Sequence, residues 1–148
     1  NMYGPLDHFE IERSHALGAL ILKIHNAKKN NIGFIEIWGT GKPIREWLYV
    51  QDGAESLIRA LELEPGHHFF NVGSGQGYSV IEIANKIARE FEWDGEFKLD
   101  TSKPDGVLEK KVNPKLGDAI LNWSPKTTID EGIKLTVEWF IENEKNIT

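Results

Sequence analysis

The sequence predicts an α/β lobe of short strands with flanking helices. Apolar residues recur at helical spacing in several separate stretches. Short runs rich in β-branched and aromatic residues lie between them, and Gly/Pro-rich breaks divide the two kinds of segment. The strand candidates are few and the polar loops long. That pattern suits a lobe resting on a larger sheet better than a complete doubly wound domain.

The 148 residues fit one domain able to bury a core. An apolar share of 40% and a charged share of 27% are ordinary for a soluble globular protein. Without cysteine there is neither a disulfide framework nor a thiolate metal site, which fits a cytoplasmic location. No apolar run approaches the roughly 18 residues of a membrane helix, so no membrane partner is expected. The net charge of −6 argues against a general nucleic-acid binder, which needs a basic face. It leaves room for a local basic pocket that takes one small anion.

From the start of the chain, residues 5–13 lack periodicity and read as a loop. Ser14 is expected to cap a helix whose buried stripe is Leu17, Leu20, Ile21 and Ile24. Lys28 and Lys29 suit the negative end of its dipole, and Asn30-Asn31 stop it. Phe34 to Trp38 reads as a strand, Gly39 to Pro43 as a turn, and Arg45 to Val50 as a second strand. Asp52 and Glu55 have capping-box spacing, opening a helix with Ala54, Leu57, Ile58 and Leu61 inward and Pro65-Gly66 at its end. Phe69 to Val72 reads as a strand before the Gly73–Gly77 run. Ser79 and Glu82 form another capping box, with Val80, Ile83, Ala84, Ile87 and Phe91 inward. Phe97 to Leu99 suggests a short strand and residues 101–114 a surface loop. Lys115 to Leu121 suggests a short helix. The last helix is capped by Thr128 with Glu131, with Ile129, Ile133, Val137, Phe140 and Ile141 inward.

Several motifs carry chemistry in one reading and none in another. Gly73-x-Gly75-x-Gly77 lacks dinucleotide spacing and is followed by no Walker Lys-Ser/Thr pair; it is a flexible connector or, less simply, a phosphate cradle. No Tyr-x-x-x-Lys occurs, and His67-His68 reads as a polar turn rather than as metal ligands; no metal is expected. His15, beside the Ser14 cap, is a candidate for proton transfer, an imidazole being the side chain that exchanges protons most readily near neutral pH; an ordinary polar helix start is the plainer reading. Arg45 has the fork that matches phosphate oxygens, and Trp38 and Trp47 can stack on a base or sugar; the plainer reading is a surface arginine and two core tryptophans. Lys103, Lys110 and Lys111 around Asp105 read first as a solvated charge run.

Taken together, Asn1-Met2-Tyr3-Gly4-Pro5, Asp7-His8-Phe9, Ser14-His15, Trp38-Gly39-Thr40-Gly41, Arg45 to Asp52 (REWLYVQD), Asn71-Val72-Gly73 and Ser102-Lys103-Pro104-Asp105-Gly106 occur in one order along the whole chain. This set resembles the C-terminal part of the extended short-chain dehydrogenase/reductase (NAD-dependent epimerase/dehydratase) family, most of all its GDP-L-fucose synthase-like branch. The REWLYVQD run marks the superfamily; the Ser-His helix start and the Ser-Lys-Pro-Asp-Gly loop are more specific to the branch. Two positions depart from its pattern: Lys23 stands where the branch has arginine, and Leu108-Glu109-Lys110 where it has Pro-Arg-Lys.

The resemblance implies a substrate-binding lobe whose N-terminal Rossmann lobe, carrying the catalytic Ser/Thr, Tyr and Lys, is absent. Residues 1–148 would be a fragment, inactive alone, with residues 1–5 ending the Rossmann lobe. It implies a nucleoside-diphosphate sugar as partner, NADP or NAD as cofactor held mainly by the absent lobe, and a homodimer. Asn1 and Met2 would line the nicotinamide end, and His15 would be the proton donor or acceptor. Lys23, Trp38, Arg45, Asp105 and Lys110 would bind substrate, Arg45 and Lys110 at the diphosphate. The implied reaction is epimerisation and reduction of a 4-keto-6-deoxy sugar. A 4-epimerase, a dehydratase, or a non-catalytic binding or interaction module are the alternatives.

Overall fold

A stripe of Leu17, Leu20, Ile21 and Ile24 closes against Ile83, Ala84 and Ile87, and these in turn against Ile133, Val137 and Phe140. Those three stripes lie on helices α1 (Ala16–Lys29), α3 (Val80–Glu90) and α5 (Ile129–Ile147). The computed structural model describes residues 1–10 and 13–147, the side chains of 146 and 147 excepted. Each fully buried Ile or Leu contributes about 1.5–3 kcal/mol, so the interlocked stripes are the main source of stability. Phe9 and Phe140, ring centroids 4.8 Å apart, fill the space where the N-terminal loop crosses α5.

In front of the helices stand seven short strands: β1 (Met2–Tyr3), β2 (Phe34–Trp38), β3 (Ile44–Glu46), β4 (Leu48–Tyr49), β5 (Gly77–Ser79), β6 (Glu96–Asp100) and β7 (Glu109–Lys110). They form two parallel pairs, β1–β4 and β2–β6, and a three-stranded sheet ordered β5–β3–β7. In the last, β3 runs antiparallel to β5 and parallel to β7. β2 alternates strictly. Ile35 and Ile37 face the helices, which leaves Phe34, Glu36 and Trp38 on the solvent face. Helices α2 (Val50–Ala60) and α4 (Lys115–Leu121) complete the order. No helix among the described residues is long and apolar enough to cross a membrane.

Most expected elements are present, and the differences have local causes. The loop expected over 5–13 is irregular where described; residues 11 and 12 lie outside the described residues. Ser14 does not cap α1. Its N–H closes a turn onto the Glu10 carbonyl at 2.8 Å, its Oγ finds no partner, and His15 is the N-cap residue without a side-chain cap. The strand expected over 45–50 is broken at Trp47, which turns into the core, and Val50 already begins α2. Asp52 therefore lies inside α2. There it is buried and accepts the N–H groups of Lys126 at 3.2 Å and Thr127 at 3.0 Å.

That pull rolls α2 about its axis. Asp52, Gly53 and Ser56 face inward, while Leu57, Ile58 and Leu61 are 69%, 60% and 86% exposed, the reverse of the expected face. The helix stops at Ala60, short of Pro65. No strand forms over 69–72, since nothing among the described residues pairs with it; β5 takes the place beside β3 instead. Within the loop expected over 101–114, Glu109 and Lys110 form β7. Ile141 is half exposed rather than inward.

The Ser79–Glu82 capping box forms in full: Glu82 Oε2 accepts the Ser79 N–H at 2.7 Å, and Ser79 Oγ accepts the Glu82 N–H at 3.3 Å. Thr128 likewise accepts from the Glu131 N–H at 3.3 Å.

Candidate functional site: two cations and an exposed indole

Arg45 sits at the centre of β3, directly opposite Lys110 of β7. Residues opposed in a sheet send their side chains to the same face, and like charges there repel. Among the described residues, neither cation has a carboxylate within ion-pair distance, whereas the next lysine, Lys111, is paired with Glu109 at 2.7 Å. That contact holds the Lys111 amine above the usual lysine range. Arg45 Nη1 donates to the Ile44 carbonyl at 2.8 Å, and its Nη2 faces Gly106. Two cations on one face of a sheet can receive an anion between them.

Trp38 ends β2 with its indole 64% exposed, so of the two tryptophans only Trp47 belongs to the core. Two ammonium groups flank the Trp38 ring, Lys23 Nζ at 6.0 Å and Lys103 Nζ at 5.6 Å from its centroid. Lys23 is steadied by donating to the Glu36 carbonyl at 3.1 Å. Beside the ring runs a groove of about 220 Å³ between α1 and the start of α3, lined by Ala16, Ala19, Lys23 and Val80.

Asp105 links the two halves of the site. Its oxygens accept from the Thr40 N–H and hydroxyl, which holds its carboxyl below the usual aspartate range. Through this contact the Trp38–Thr40 turn meets the loop that brings Gly106 to Arg45.

Two further cavities share Met2. One, of about 140 Å³, is lined by Asn1, Met2, Glu46, Gly73 and Lys110. The other, of about 400 Å³, is lined by Met2, Tyr3, Leu6 and His15. Thus Arg45 meets Lys110, Lys110 shares a cavity with Asn1 and Met2, and Met2 shares the next with His15. Lys23 and Trp38 form a separate groove. His15 and Ala16, adjacent at the start of α1, line different cavities, His15 the one beside Met2 and Ala16 the groove beside Trp38. None of these cavities holds every expected site residue.

The Gly73–Gly77 run is a connector, because the amides a phosphate would need are occupied. Gly75 N–H donates to Glu46 Oε1 at 3.2 Å, Val80 N–H to the Pro43 carbonyl at 3.2 Å, and Ile81 N–H to the Gly41 carbonyl at 3.0 Å. Thr40 and Glu46 have contacts here that residue type alone does not announce, and Lys103, expected in a solvated charge run, lies beside Trp38. For Glu46 the signal was strand alternation, which puts neighbouring residues of β3 on opposite faces.

Residues 1–73 match the NAD dependent epimerase/dehydratase family. The chain is 38% identical over 97% of its length to the probable GDP-L-fucose synthase 1 of Oryza sativa subsp. japonica, covering 43% of that protein. It is 34% identical over 97% of its length to the GDP-L-fucose synthase of Escherichia coli (strain K12), covering 47%. It superposes on the crystal structure of a GDP-L-fucose synthetase from Naegleria fowleri with a TM-score of 0.91 at 29% identity, over 98% of this chain and 44% of that one. The same protein has been solved bound to NADP. The chain therefore spans less than half the length of these relatives. Its α/β architecture corresponds to the C-terminal lobe of the extended Rossmann-type fold, and the chain belongs to the NAD dependent epimerase/dehydratase family.

Proposed function

We propose that this chain is the substrate-binding portion of an NAD(P)-dependent nucleotide-sugar epimerase/reductase that acts on a GDP-linked 4-keto-6-deoxy sugar. Residues 1–5 would end the preceding cofactor lobe. The observation that carries this reading is the in-register pair Arg45 and Lys110, two cations on one face with no carboxylate within ion-pair distance among the described residues, a charge arrangement that suits a diphosphate. In this reading the Trp38 indole offers a face for stacking, with Lys23 and Lys103 adding positive charge at its rim. Asp105 braces the loop through Thr40.

His15, exposed at the N-cap of α1 and lining the cavity beside Met2, is the group that would carry a proton to or from a ring carbon next to the ketone. C–H bonds beside a ketone are acidic enough for enolisation, and Arg45 and Lys110 would hold the diphosphate fixed while the ring reacts. Toward a nicotinamide this chain offers an edge rather than a cradle. Asn1 is committed to the Glu46 carbonyl, Met2 is exposed at the rim of two cavities, and the glycine-run amides are engaged. When bound, the nicotinamide supplies the hydride that reduces the ketone; the residues present here orient the sugar against it.

Calorimetric titration of the chain with GDP tests the reading. Arg45→Ala is expected to weaken binding by more than about tenfold, about 1.4 kcal/mol. An unchanged dissociation constant would remove Arg45 from the site, and no binding by the wild-type chain would remove the site itself.

A further inference from the structure

The neighbour of Arg45 on β3 points the other way, into the protein. Glu46 is 5% exposed, yet among the described residues no lysine or arginine lies within ion-pair distance of it. Burying a carboxylate without a counter-charge is costly unless hydrogen bonds replace its water. Glu46 gains those bonds from two separate loops. Its Oε1 accepts the Gly75 N–H at 3.2 Å, and its Oε2 accepts the Val112 N–H at 2.7 Å. A Cβ on Gly73 would collide with Oε1 and with Val112, so the glycine run makes room for the carboxylate. The same carbonyl-bearing residue holds Asn1, whose Nδ2 donates to the Glu46 carbonyl at 3.2 Å.

Val112 lies two residues after Lys110, and Gly75 two residues before β5. The carboxylate therefore clips the chain just beyond β7 and the chain just before β5 onto the strand between them. β7 has only two residues of its own, too few to fix its register unaided. We infer that Glu46 is a positioning residue: by gripping the Gly75 and Val112 amides from the back of β3, it keeps Lys110 opposite Arg45 so that both cations meet one phosphate group or diphosphate. This deepens the proposed function and rests on it for the identity of the anion.

Glu46→Gln keeps the shape but replaces one acceptor oxygen with an NH₂ group, which cannot accept from a backbone N–H. One of the two clips is lost, and the other is retained. Amide hydrogen exchange reads this without any ligand. Exchange at Gly75 or Val112 is expected to rise by more than about tenfold, with the β2–β6 amides unchanged. Equal exchange in variant and wild type would overturn the clip.

GDP titration then reads the positioning. Glu46→Gln is expected to weaken binding by about fivefold or more, while Glu46→Gln combined with Lys110→Ala binds no more weakly than Lys110→Ala alone, since the two act through one group. Additive losses would show that Glu46 only stabilises the fold and would overturn the positioning role. If the wild-type chain binds no GDP, the proposed function and the positioning role fall together, and the exchange measurement still decides the clip. Should Glu46→Gln not fold, Glu46→Asp carries the same measurements, its shorter arm unable to reach both amides.

Discussion

Asp105 closes on Thr40, accepting the backbone N–H at 2.6 Å and the hydroxyl at 2.7 Å. Gly39 makes this approach possible, since it has positive φ and a Cβ there would strike the Asp105 carboxylate. These bonds lower the carboxyl's proton affinity in the folded state. A depressed carboxyl contributes above its unfolded value of about 3.9 and loses that contribution as pH falls through the folded value.

Asp105→Asn is therefore expected to speed amide exchange at Thr40, because the carboxamide brings only one acceptor. The wild type should show the same loosening only on acidification below about pH 4. Thr40 exchange that is unchanged in the variant would mean that the turn is held by something else.

Ser79 and Glu82 cap α3 reciprocally, and α3 carries the centre of the core. Ser79→Ala should lower the unfolding free energy by about 1 kcal/mol, read from urea denaturation. A loss below about 0.3 kcal/mol would show that the cap is redundant.

Exposure decides which apolar residues matter. Ile87 is fully buried, so Ile87→Ala should cost about 2–5 kcal/mol. Leu57→Ser on the outer face of α2 should change stability by no more than about 0.5 kcal/mol. A large loss at Leu57 would restore the inward face that the sequence pattern suggests.

Tyr3 is buried against α5, with its hydroxyl beside Gly132. Burial, then the nearby Tyr49 and Asp52, raise the phenol's pKa far above its ordinary value. Folded Tyr3 stays neutral while the unfolded phenol ionises, so stability is full below about pH 10 and declines as pH rises beyond it. Tyr3→Phe should flatten that alkaline decline in thermal unfolding. An unaltered pH slope would locate the effect elsewhere, with Tyr49 next in line.

The helices α1, α3 and α5 are legible in the sequence because burial alone dictates their stripes, and β2 because its apolar run is bounded by turns. α2 is misread by the same rule. Its polar residues face inward because Asp52 satisfies two distant amides at 126 and 127, and no local pattern encodes a partner so far along the chain. Within the site, Arg45 and Trp38 stand out by residue type. Their neighbours Lys110 and Lys103 become more than a charge run only once β7 pairs with β3 and the loop folds back on the indole. Strand alternation shows only which face Glu46 takes; its grip is not legible, since its partners are backbone amides, which every residue but proline carries.

That indifference to side-chain identity has an evolutionary consequence. A grip on peptide groups makes no demand on side-chain chemistry at 112 beyond an N–H to donate, while Gly73 has no such latitude. The chain on either side of β3 can thus change in sequence without rebuilding the strand that carries Arg45.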